Sequence, residues 1–276
     1  MEAAEWAAGA VPDAVAGDQD EVEFNRYYGV IRGLAARSLL TFSEIIWQLR
    51  GGYVSGALSR IRTLYELAMV ANILAEYASP GRSHPELIER YVRHHEVFTR
   101  TEADQLMATG ILDPADYFDE ETLEALDRQK EQLLERYGKS FATLWGWAAP
   151  LFKSKEQVTM AQLSQLVDPG VSYFYGRTSE HVHGGSAGWH GNFVQREHET
   201  VLAAGPTNVG LSVPDALASH LTLVVLQVAI PTNIETGSRR ESVGALFLVA
   251  VSRASALHDV PSVSNHTRQP CRIIAT

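Results

Sequence analysis

Eleven residues in the second half of the chain gather the side chains best suited to chemistry. They run Tyr175-Gly-Arg177-Thr-Ser179-Glu-His181-Val-His183-Gly-Gly185. Histidine titrates near neutral pH and can take or return a proton. Arginine stays charged and offers a fixed fork of donors to a phosphate. Together they suit cleavage of a phosphodiester, the imidazole moving the proton and the guanidinium holding the charge. General acid–base catalysis of this kind contributes about 10²–10⁴-fold. On a helix, Tyr175, Ser179 and His183 are four apart and share a face, with Arg177 and His181 on a neighbouring one. The two glycines let a ligand or another backbone approach closely. The same residues also fit a helix C-terminus, where histidines favour the macrodipole and cap carbonyls.

A second candidate is Arg62-Thr-Leu-Tyr-Glu66, with Ser55 and Ser59 on the same polar stripe. On an exposed helix such a pair contributes only about 0.2–0.5 kcal/mol. A buried stripe would need further partners, and Ser179 or His183 could supply them. A third is a histidine group, His181, His183, His190 and His198 with Glu197 or Glu199. On a helix the two rings of His-Val-His point roughly 160° apart, and no HExxH spacing occurs, so neither a metal nor a cofactor is expected. His94-His95 reads as a solvated face. The chain also lacks a GxxxxGK[ST] loop and a GxGxxG after a strand, which argues against nucleotide hydrolysis, and it shows no alternation of strands with helices of the kind an α/β-hydrolase needs.

The elements that would position these residues are helices. Ile31, Leu34, Ser38, Phe42, Ile45 and Leu49 recur every three or four residues and mark one face of a long helix. Gly51-Gly52 breaks it. A second stripe follows, Val54, Leu58, Ile61, Tyr65, Ala68 and Leu74-Ala75, ending at Ser79-Pro80-Gly81. So short a break makes the two helices an antiparallel hairpin. A third helix is expected from about Ser83 to Thr109, a fourth from Asp119 to Tyr137, and a fifth from Lys155 to Val167. Trp145 and Trp147 fall in an apolar connector. Val171–Val182 reads as a sixth helical segment, and Pro214–Ile234 as a last helix. A short β-hairpin is expected near 190–204, around Phe193-Val194 and Thr200–Leu202. Residues 243–251 could form one more helix. The class is all-α, one bundle of six to seven helices spanning 21–235. Residues 1–20 read as a flexible leader and 236–276 as a loosely structured tail.

The 276 residues are 45% hydrophobic and 20% charged, a globular balance. A single cysteine, Cys271, excludes an internal disulfide framework and fits a reducing compartment. The N-terminus has no secretory pattern, and the run Leu221–Ile230 is too short to span a bilayer. A cytoplasmic protein without a membrane partner is expected. The net charge of −10 gives no global attraction for nucleic acid, though a local basic groove is compatible with it.

Two blocks carry a family resemblance. One is Gly56-Ala-Leu-Ser-Arg60-Ile-Arg62-Thr-Leu-Tyr-Glu66-Leu-Ala, after a helix containing Ser43-Glu44-Ile45. The other is Tyr175-x3-Ser179-x3-His183-Gly. The arrangement resembles DUF5677, a bacterial family of unknown function, over roughly residues 25–235. More loosely, Arg177-x5-His183 resembles the motif of HEPN-domain ribonucleases, departing from it at Thr178 and in the immediate Gly-Gly. That resemblance implies metal-independent RNA cleavage in a helical bundle that usually dimerises, often in toxin–antitoxin or antiphage systems. It would make His183 the proton-transfer group and Arg177 the phosphate holder. Ser179 would join them as a catalytic residue that positions the substrate, and Tyr175, His181, Arg62 and Glu66 would bind substrate, the last two orienting the site from the neighbouring helix. RNA, a second copy and a cognate antitoxin-type protein are the partners it suggests. The competing expectation is a non-catalytic helical module, binding a protein or small ligand, whose polar residues fix helix register.

Overall fold

The computed structural model describes residues 19–110, 119–153, 157–167, 175–176, 178–179, 182, 193–196, 199–202, 204–207 and 209–229. The leader, the tail and the apolar stretch 243–251 lie outside them, apart from the helical residues Gln19 and Asp20. The fold is all-α, with seven α-helices among the described residues and a single two-stranded hairpin. The chain divides into two compact units. One comprises Arg32–Val70 with Gly170–Thr276, the other Ala10–Ile31 with Ala71–Pro169. The first two helices contribute residues to both.

Helices α1 (Gln19–Arg50) and α2 (Val54–Ala78), whose residues Arg32–Val70 belong to the first unit, form the expected hairpin. The whole α1 stripe is buried, from Ile31 to Leu49. On α2, Ile61, Tyr65, Ala68 and Leu74 are buried, and so are Ala57, Leu64, Met69 and Ile73, so this helix is apolar on more than one side. The turn needs its glycine. Gly52 has φ +79°, and a Cβ there would lie 2.9 Å from the Thr207 amide. The Thr207 amide donates to the Gly52 carbonyl at 2.9 Å. Arg60 pairs with Glu44 across the hairpin, and Gly56 sits against the Gln48 side chain. Both pairs are symmetric about Gly52, which is what an antiparallel hairpin requires. Strands β1 (Phe193–Arg196) and β2 (Glu199–Leu202) pair antiparallel, Phe193 opposite Leu202. Helix α7 (Ser212–Ala229) buries Leu217, Ala218, Leu221 and Val225. It is long and apolar enough to cross a membrane by length and composition, a property it shares with core helices of soluble proteins.

The second unit corrects two boundaries and one surface. The helix expected over 83–109 is broken. Helix α3 (Glu86–Arg93) gives way to a 3₁₀ turn, His94–Val97, before α4 (Thr99–Ala108). The break has a physical cause. The His94 Nε2 donates to the carbonyls of Phe141 and Thr143, at 3.1 and 2.9 Å. Its ring packs edge-on against Phe98 and Phe141. His94 is thus a packed residue rather than part of a solvated face, whereas His95 is exposed. Helix α5 (Glu120–Tyr137) has Asp119 as N-cap, accepting from the Thr122 amide at 2.8 Å, and ends at Gly138 with φ +85°. The Trp145–Trp147 connector is a corner of 3₁₀ turns, Lys139–Ala142 and Gly146–Leu151. Arg90 pins it from α3, donating through Nε to Trp147 O at 2.9 Å and through Nη2 to Gly146 O at 2.8 Å. The same guanidinium lies 4.9 and 5.0 Å from the Tyr137 and Phe141 ring centres. The fifth expected helix is shorter than its pattern. Helix α6 (Met160–Ser164) starts at a capping box of Thr159 and Gln162, so Gln157 and Val158 precede it.

Candidate functional site

The site in the first unit is built from the middle of α2. Arg62 and Glu66 are one turn apart, and Arg62 Nε donates to Glu66 Oε1 at 3.3 Å. Both side chains are about a third exposed, at 27% and 33%. Neither expected extreme holds, because the pair is half-buried and has a third member. The Tyr175 hydroxyl donates to the same Glu66 oxygen at 3.3 Å. The Arg62 guanidinium lies over the Tyr175 ring, 5.1 Å from its centre. The Tyr175 ring also packs on Tyr65, with centres 5.1 Å apart and planes tilted by 38°. Tyr65 is 2% exposed, so it is the floor of the site.

Electrostatics follow from this geometry. Burial raises the Tyr175 hydroxyl pKa above its ordinary value, the Glu66 charge raises it further, and Arg62 offsets part of that. Tyr175 therefore stays protonated and donates. It is a fixed donor to Glu66 near neutral pH, not a base.

Beyond Tyr175, the described residues Gly176, Thr178 and Ser179 are helical. The Ser179 and Thr178 hydroxyls both donate to the Tyr175 carbonyl, at 2.9 and 3.0 Å. Thr178 is 1% exposed. Ser179 thus bonds back into its own turn, the usual alternative for a serine within a helix. Val182 continues the turn, its amide donating to the Ser179 carbonyl at 3.1 Å. Arg177, His181 and His183 lie outside the described residues, as do His190, His198 and Glu197. Of the expected residues, Arg62, Glu66, Tyr175 and Ser179 are brought together.

Two contributors were harder to read. Tyr65 stood in the apolar stripe as an ordinary core residue, yet it stacks on Tyr175. Thr178 looked like a weak position in the motif but packs against the interior. The signal for Tyr65 was its place beside Arg62 and Glu66, on the turn that faces Tyr175.

The two sequence blocks therefore meet in space, at Glu66 and Tyr175. The model of a family of unknown function, DUF5677, matches residues 28–200, more than half of the chain. The chain belongs to DUF5677. Both blocks of the site fall inside the matched range, so the contact between them lies in the part that defines a DUF5677 protein. No curated protein and no solved structure matches the chain.

Proposed function

We propose that this DUF5677 protein cleaves RNA without a metal, as a HEPN-like ribonuclease or a defence protein of toxin type. His183 takes the proton of a ribose 2′-hydroxyl. That oxygen then attacks phosphorus, and the 5′-oxygen leaves and takes up a proton. The products are a 2′,3′-cyclic phosphate and a 5′-hydroxyl. Arg177 holds the phosphate charge as it builds. A cytoplasmic location and a second copy or antitoxin-type partner belong to the same proposal.

One observation carries it. Tyr175, at the head of the Arg177–His183 segment, docks on the Arg62–Glu66 pair through its hydroxyl and its ring face. An arginine and a histidine acting on one phosphate need a rigid base to hold their geometry. This contact supplies one. The roles of Tyr175 and Ser179 change accordingly. Both position the segment rather than touch substrate, since Ser179 Oγ donates to the Tyr175 carbonyl.

A second reading is favoured by that same bonding. Arg62, Glu66, Tyr175, Thr178 and Ser179 each bond within the cluster. A network of this kind fixes helix register without any reaction. Incubating the protein with total RNA in EDTA, beside His183→Ala and Arg177→Ala, separates the two. Cleavage by the wild type that both variants lose supports the nuclease. No cleavage by any sample sinks it.

A further inference from the structure

The exposed face of α1 is a strip of cations around an unpartnered tryptophan. Trp47 is 72% exposed and Leu40, seven residues earlier, is 58% exposed. At about 100° per residue they fall within roughly 20° of each other on the helix. Arg37 lies about 60° to one side of Leu40, and Arg32 and Arg50 about 80° to the other. All three arginines are exposed, and none of their side chains is in an ion pair or hydrogen bond among the described residues. Gly33 sits on the same line, and a Cβ there would meet nothing within 4 Å. From Arg32 to Arg50 the strip is about 27 Å long.

The charge is segregated. The chain carries −10 overall, yet between Arg32 and Arg62 it holds five arginines and one acid, Glu44. Glu44 lies within the strip, about 40° from Leu40, and is paired with Arg60 of α2. Cations flanking an exposed aromatic ring match a phosphate backbone with unpaired bases. The arginines neutralise phosphates, and the ring offers a stacking platform to any base. A second copy of the chain fits less well, because self-pairing through this strip would set six arginines against two glutamates. We infer that the α1 face binds single-stranded RNA, with Trp47 stacking on a base and Arg32, Arg37 and Arg50 holding the backbone. The choice of RNA rests on the proposed reaction, whereas the polyanion-binding face does not.

The test is fluorescence anisotropy with a labelled 2′-O-methyl oligouridylate of about 15 nucleotides, near the upper end of single-strand site sizes. Such a probe resists attack by a 2′-hydroxyl, so binding is read apart from cleavage. The full chain should bind at low salt, with a log–log salt slope of about −2 from three neutralised phosphates. Trp47→Ala should weaken binding by about 5- to 150-fold, the loss of one base stack. A triple Arg32→Gln, Arg37→Gln, Arg50→Gln variant should flatten the slope. Melting temperatures should not move, since all four side chains are exposed. The inference is overturned if the wild type does not bind. It is also overturned if binding survives both variants, and RNA cleavage by the same samples would then leave the proposed reaction standing without this face. Tighter binding to phosphatidylserine vesicles than to RNA would overturn it too. So would a Trp47→Ala variant that turns a dimer into a monomer in sedimentation.

Discussion

Replacing Tyr175 with phenylalanine removes a single hydroxyl and leaves the ring on Tyr65 and Arg62. The lost bond runs to a carboxylate, where about 1.5–3 kcal/mol is usual. Here the distance is 3.3 Å, the long end of the range. Glu66 is also a third exposed and shared with Arg62. Solvent screening therefore reduces the cost to about 1 kcal/mol, or roughly 2 °C in melting temperature. Tyr175→Ala also loses the tilted ring stack and the cation–π contact, and should cost about 3–4 kcal/mol. The decisive assay is a double-mutant cycle of Tyr175→Phe with Glu66→Ala, read by urea denaturation at pH 7. A coupling of about 0.5–1.5 kcal/mol is expected. Strict additivity would mean that the hydroxyl and the carboxylate do not interact, and the two sequence blocks would lose their meeting point.

Three further outcomes concern the second unit. Arg90→Met should destabilise the protein by about 2–5 kcal/mol in urea denaturation, because it strands the buried carbonyls of Gly146 and Trp147. Gly146→Ala should cost more than about 2 kcal/mol by the same measurement. Its Cβ would collide with the Ser140 carbonyl oxygen and come within 2.7 Å of the Phe141 Cα, backbone atoms that cannot swing aside. Burial, partly offset by the two carbonyl bonds, lowers the His94 pKa below its usual 6.5. The fold therefore favours the neutral ring. That stability should be complete above pH 6.5 and fall away as pH drops toward the lowered value. His94→Gln should show a flatter loss of urea midpoint between pH 7.5 and pH 5.

What the sequence made legible follows from how local each signal is. The α1 stripe was readable because every third or fourth residue is apolar, and Ser38 fitted because a small hydroxyl can ride in such a stripe. The Gly51-Gly52 break was readable because a tight turn is a backbone requirement that glycine meets, and the start near Asp119 because acidic residues suit a helix N-terminus. The short hairpin was expected around Phe193-Val194 and Thr200–Leu202, and both strands fall there. The break at His94 did not show. It depends on the carbonyls of Phe141 and Thr143, some fifty residues away, and no periodicity reports them. Arg90 was invisible for the same reason, since its charged type reads as surface until the corner that buries it is known. In the candidate site, the turn Arg62–Glu66 and the head residue Tyr175 could each be singled out, but not the single oxygen of Glu66 on which both converge.

The central claim, that His183 moves the proton in RNA cleavage, is tested most directly by one rate. A fluorophore–quencher RNA is incubated in EDTA with wild-type protein and with His183→Ala of equal melting temperature, and the initial rates are compared. A loss of about 10²–10⁴-fold is expected in the variant, the usual contribution of a general acid–base group. An unchanged rate, or a wild type no faster than buffer, would contradict it.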